Sequence, residues 1–185
     1  MKVATLVTDL IKYNTGYLTK HLTNMDKARL VFRPNQRHNP IIWILGHLVV
    51  SRGSLLELLG ETPNLYELNC LFSSGTKPLN DQSKYPEPEK LMRYMSQFGA
   101  NLVRHLNEAG DDLLNRQVWG AYDNIGKYLV NAYIHETYHV GQINYLMSLA
   151  SEIVSSKTRL KLSAKKKPGT GKILLNNLKS VLTVK

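Results

Sequence analysis

The sequence predicts an all-α protein, a four-helix bundle with one long crossover loop. Three observations point there. Four stretches repeat their apolar residues at steps of three and four, the period of one helix face. Asn, Asp, Gly and Pro fall where such helices would start and stop. One stretch, Val130 to Met147, is long, mostly apolar and free of Pro, so a bundle can be built around it. With 185 residues, 43% of them hydrophobic, the chain can bury the core of one such domain.

The first helix is expected over Val3 to Leu22. Val3, Leu6, Val7, Leu10, Ile11 and Leu18 form its apolar stripe, with Asp9, Lys12 and Lys20 turned away. Asn24 or Asp26 can restart a short turn, which Arg33-Pro34 ends. Asn39-Pro40 opens the second long helix, with Asn as N-cap and Pro at the first helical position. The apolar run Ile41 to Val50 follows, and the helix should last to about Leu59, with Gly60 as its stop. His47 lies inside this run, so it points into the core or sits at its edge.

Glu61 to Pro88 carries Pro63, Gly75, Pro78, Pro86 and Pro88 and reads as a long connection with one or two short turns. It is either a lid or a crossover that has to travel far. Glu87 to Ala109 is the third helix, with Leu91, Met92, Met95, Phe98, Leu102, Val103 and Leu106 inside and Gly110 at its end. Asp111 to Tyr122 connects onward, anchored by Leu113, Leu114, Val118 and Trp119. Asp123 or Asn124 caps the fourth helix, which runs to about Ser151. Its inward row is read as Tyr128, Ala132, His135, His139, Gln142 and Leu146.

The net charge of +10 suggests nucleic acid until it is located. Nine of the 24 lysines and arginines, and none of the 14 acids, lie in residues 156–185. The chain before them is almost neutral, so residues 1–155 are read as the bundle and 156–185 as a flexible basic extension. Nucleic-acid binding is expected nowhere but in that extension. Gly169-Thr170-Gly171-Lys172 lacks the leading glycine and the trailing Ser or Thr of a phosphate loop. No run reaches about 18 apolar residues, so no transmembrane helix is expected. No secretory signal is visible either. The single cysteine, Cys70, cannot pair internally and fits a reducing cytosol; it has no local histidine partner to make it a nucleophile.

His135 and His139 stand one helical turn apart. That spacing lets two imidazoles grip one ion at about 2.0–2.1 Å each. A third ligand is needed, and His47 is the best candidate, because it too lies in an apolar stripe of a long helix. His21, His38 and His105 read as surface or loop residues. The segment also spells His-Glu-x-x-His, the zincin pattern. Gln142 and Tyr145 stand where a metzincin needs Gly and His, and Glu152 is too near on the same helix to fold back as a ligand. A zinc protease is therefore not expected, and Glu136 is expected to face a neighbouring helix or solvent.

Two segments, Asn39-Pro-Ile-Ile-Trp-Ile-Leu-Gly-His47-Leu and His135-Glu-Thr-Tyr-His139-Val-Gly-Gln142-Ile, are similar in order and placement to those of the DinB-like superfamily. The similarity spans about residues 1–152. It implies a four-helix bundle with a divalent metal held by His47, His135 and His139. Zinc or nickel would be the usual occupant, and iron or manganese also suit three imidazoles. It further implies a homodimer and a small-molecule substrate, such as a low-molecular-weight thiol. The activity implied is small-thiol S-transfer or a related hydrolysis; the alternative is a non-catalytic, DNA-damage-inducible metal-binding protein. An open position on the ion would hold a thiol as its thiolate or acidify a water. The connection Glu61–Pro86 and the segment Gln117–Tyr122 are the candidate roof of such a site.

Overall fold

Four long helices carry the fold: α1 (Val3–Leu22), α3 (Ile41–Leu58), α5 (Pro88–Asn115) and α6 (Ile125–Lys166). Two short ones, α2 (Lys27–Leu30) and α4 (Tyr66–Phe72), lie in the connections. The computed structural model describes residues 2–79, 81–118, 120 and 122–166. Among them the structure is all helical. Residues 1–146 form one unit and 147–185 another, so the division falls inside α6.

Within the first unit the long helices close a ring. α5 packs against both α1 and α3. α6 completes the ring through hydrogen bonds from Asn14 and Tyr17 of α1 and Arg52 of α3. α3 is the central member. It is apolar on all sides and buries Ile41 to Val50 without interruption, as a helix surrounded by others must. Over Ile41–Leu58 its mean hydropathy is 1.5, so by length and composition alone it could cross a membrane, but 78% of that stretch is buried inside the bundle, as in a core helix.

Local chemistry sets the helix ends. The Asp26 carboxylate accepts the Ala28 N–H and caps α2. The cap of α3 is Pro40, one residue later than expected for Asn39. Gly60, at φ +93°, ends α3, and the Glu61 N–H reaches back to the Leu56 carbonyl at 2.9 Å. Gly110 (φ 58°, ψ −140°) breaks α5 where the sequence expects its end. The chain then makes one more helical turn that buries Leu113 and Leu114. Asp111 in that turn accepts the N–H of Ala4 at 3.0 Å and so caps α1 from a distance. A single bridge between Gln117 and Asn124 closes the next connection, and the Asn124 side chain caps α6 by accepting the Lys127 N–H.

Three expectations are corrected. On α1 the buried row is Ala4, Val7, Thr8, Ile11, Asn14, Leu18 and Leu22. Val3, Leu6 and Leu10 are exposed. The apolar arc of α1 is wider than the surface its neighbours cover, and periodicity alone does not choose the covered side. On α6 the buried row is Ile125, Leu129, Tyr133, Glu136, Val140, Ile143 and Leu146. Tyr128, Ala132, His135, His139 and Gln142 are half-buried beside it, at the edge of the core. Finally, α6 runs past Ser151 to Lys166, since residues 152–166 hold no Gly or Pro to stop it. Trp119, the glycine-rich motif at 169–172 and the rest of the basic extension lie outside the described residues.

Candidate metal centre

His47, His135 and His139 come together, with one ring nitrogen of each within 4.8 Å of the others. α3 supplies the first and α6 the other two. His47 Nε2 lies 3.2 Å from His135 Nε2, and His139 Nε2 lies 3.0 Å from the same atom. His47 is buried and the α6 pair is half-buried, so the cluster opens from core toward surface.

The protonation of two rings follows from their partners. His47 Nδ1 lies 2.8 Å from the Phe72 carbonyl. A carbonyl only accepts, so Nδ1 carries the proton and Nε2 presents a lone pair to the cluster. His139 Nδ1 lies 2.7 Å from Gln142 Oε1, with the same consequence. Gln142 is held in turn, its amide donating to the Tyr138 hydroxyl at 2.9 Å. Two lone pairs therefore converge on His135 Nε2, and one N–H there cannot satisfy both. A cation satisfies all three nitrogens. Nitrogens bound tetrahedrally to one ion at 2.0–2.1 Å stand about 3.4 Å apart, close to the separations present. The three histidines thus fit a divalent metal.

Electrostatics favour the ligating form. Burial lowers the His139 pKa to about 4 against the pull of Gln142, and His135 and His47 push it the same way. Burial also lowers His135, helped by His47 and opposed by Glu136. Both rings are neutral at pH 7, as metal binding requires.

The connection after α3 builds one wall. Its α4 segment packs so close that a Cβ at Gly46 would meet the Phe72 ring at 2.5 Å. Glycine one residue before His47 therefore brings the Phe72 carbonyl within reach of the imidazole. Trp43 stacks on His47, with ring centroids 5.1 Å apart and planes at 10°. Its indole N–H donates to Thr76 of the connection. Of the candidate roof Glu61–Pro86, Phe72 and Thr76 meet His47 and Trp43 on the buried side of the cluster. Of the other candidate, Tyr122 meets Asn131 and Tyr128, at least a turn before His135.

Glu136, the glutamate of the His-Glu-x-x-His pattern, is buried and turned away from the histidines' shared atoms. Both its oxygens take the Arg52 guanidinium, at 2.7 and 2.8 Å. This rules it out as a protease base as it stands. His105 pairs with Glu61 and His38 with Asn35, away from the cluster. The sequence reading missed Arg52. An arginine in an otherwise apolar helix is a signal that a buried acid must face it. The Phe72 carbonyl left no signal, because it is backbone.

The fold and the histidine cluster define a helical bundle able to hold a divalent ion. The chain belongs to the DinB superfamily, whose family model matches residues 11–143. A crystal structure of a conserved protein from Enterococcus faecalis has a similar fold, with a TM-score of 0.61 and 17% identity. The match covers 80% of this chain and 97% of that one. No curated protein matches the sequence.

Proposed function

We propose that the protein is a metal-dependent enzyme of small molecules, with His47, His135 and His139 as the ligands of a zinc or nickel ion. Its reaction is transfer of a small thiol to an electrophile or a related hydrolysis. The observation that carries this is the pair of fixed tautomers. The Phe72 carbonyl and Gln142 orient two imidazoles so that their free nitrogens face one point. Such outer hydrogen bonds mark histidines built to bind metal. When bound, the ion supplies a Lewis acid that favours the deprotonated form of a thiol or water. Around it the chain keeps three imidazole donors in place. Trp43 and the Phe72 segment shield the buried side, and the half-buried α6 pair leaves the outer side open to a substrate.

The protein acts as a homodimer in a reducing compartment such as the cytosol. The exposed apolar side chains Val3, Leu6 and Leu10 of α1 and Val130, Ile134 and Tyr138 of α6 support the dimer. The exposed lone thiol of Cys70 supports the compartment.

Elemental analysis of protein purified without a metal-affinity tag tests the site. About one equivalent of metal is expected in the wild type and much less in His47→Ala. Equal metal in both would remove His47 from the ligand set. Incubation with a panel of small thiols and a model electrophile tests the reaction. A rate no higher than that of the metal-stripped protein, for every thiol, would leave a binding protein without turnover.

A further inference from the structure

We infer that the buried Arg52–Glu136 pair is a positioning device for the histidine cluster, setting the rotation of α6 against α3; this rests on the metal reading above. Arg52 is fully buried and Glu136 nearly so. The guanidinium donates through Nε and Nη2 to both carboxylate oxygens. Its remaining donors reach α1 and α5: Nη1 meets Thr15 Oγ1 and the Met95 carbonyl, both at 2.8 Å, and Nη2 meets the Ile11 carbonyl at 3.4 Å. Asn14 of α1 donates to Glu136 Oε1 at 2.9 Å. One ion pair therefore ties all four long helices. Gly99 leaves the room it needs, since a Cβ there would lie 2.4 Å from Arg52 Nη1.

The placement matters more than the strength. Glu136 directly follows His135, and Arg52 lies five residues after His47, about 7.5 Å along α3. α3 and α6 are thus linked at two separated points, the histidine contact and the ion pair. One contact alone would let α6 turn about its own axis. An imidazole nitrogen stands ~5–6 Å from that axis, so a turn of about 20° displaces it by ~2 Å. That is as large as a metal–nitrogen bond. A planar, two-pronged pair resists such a turn, where a single-point contact does not. Glu136 therefore serves the metal site from the adjacent face of its own helix, about 100° round from His135, not as a base.

The test compares metal binding with folding. Arg52→Met/Glu136→Met removes both charges together and keeps apolar volume, the replacement that folded proteins tolerate best. Zinc affinity is read by competition with a chromophoric chelator, cobalt geometry by visible absorption, and the fold by thermal unfolding of metal-free protein. The double variant is expected to fold but to bind zinc about ten- to hundred-fold more weakly, with an altered cobalt spectrum. Asn14→Ala keeps the ion pair and removes one bond to Glu136, so it gives a readout if the double variant does not fold. A loss of affinity in the same direction is expected. Folded variants with wild-type zinc affinity and cobalt spectrum, whatever their melting temperature, would overturn the inference. A wild type that binds no zinc or cobalt would instead overturn the metal reading itself.

Discussion

Gly46→Ala should weaken metal binding far more visibly than it weakens the fold. The new Cβ would lie 2.5 Å from Phe72 Cγ and Cδ1 and 2.6 Å from Cδ2. Carbon atoms settle at about 3.5 Å or more, so the ring must retreat by about 1 Å. Phe72 also supplies the carbonyl that holds His47 Nδ1 at 2.8 Å. If its backbone follows the ring, that bond lengthens beyond about 3.5 Å and is lost. Overpacking a core costs about 1–3 kcal/mol. Alanine in place of glycine within a helix returns about 1 kcal/mol. The net loss of stability is then about 0–2 kcal/mol. Loss of an outer hydrogen bond to a metal-binding histidine costs about ten- to hundred-fold in affinity. Denaturant unfolding of the metal-free protein reads the first quantity, and zinc competition reads the second. A variant that binds zinc within about twofold of wild type would refute the claim that Phe72 orients His47.

Three further outcomes are expected. Gly16→Ala, on the exposed side of α1 where an added Cβ meets nothing within 4 Å, should raise stability by about 1 kcal/mol in denaturant unfolding. Leu102→Ala empties a fully buried position between α5 and its neighbours and should cost about 2–5 kcal/mol by the same measurement. The metal-free protein should lose stability in mild acid through His139. Its folded pKa, about 4, lies below the unfolded value of 6.5, so the unfolded chain binds the proton more readily. That contribution is complete above about pH 6.5 and is lost as pH falls toward 4. Unfolding at pH 7.5 and 5 in wild type and His139→Gln should show a smaller pH dependence in the variant; an equal dependence would count against the assignment.

The two α6 histidines were legible because four residues make one helical turn in any context. His47 was legible only beside that pair, because a lone histidine in an apolar helix is more often a hydrogen-bonded core residue. Element ends followed from local chemistry: Asp26, Asn124, Gly60 and Gly110 each act on backbone within a few residues. The inward row of α6 was misjudged by about one step. The histidines lie half-buried at the core's edge, and Glu136 takes the central place, facing α3 through Arg52.

The sequence by itself determined the helical period, most helix ends and which side chains could bind metal, because these depend largely on neighbours along the chain. Tertiary structure alone decided the rest. It chose which arc of α1 is covered and matched Arg52 with an acid 84 residues away. It also brought the Phe72 carbonyl to His47 across 25 residues. Such contacts depend on distances between helices, and a buried charge or a backbone carbonyl finds its partner only when the bundle has closed.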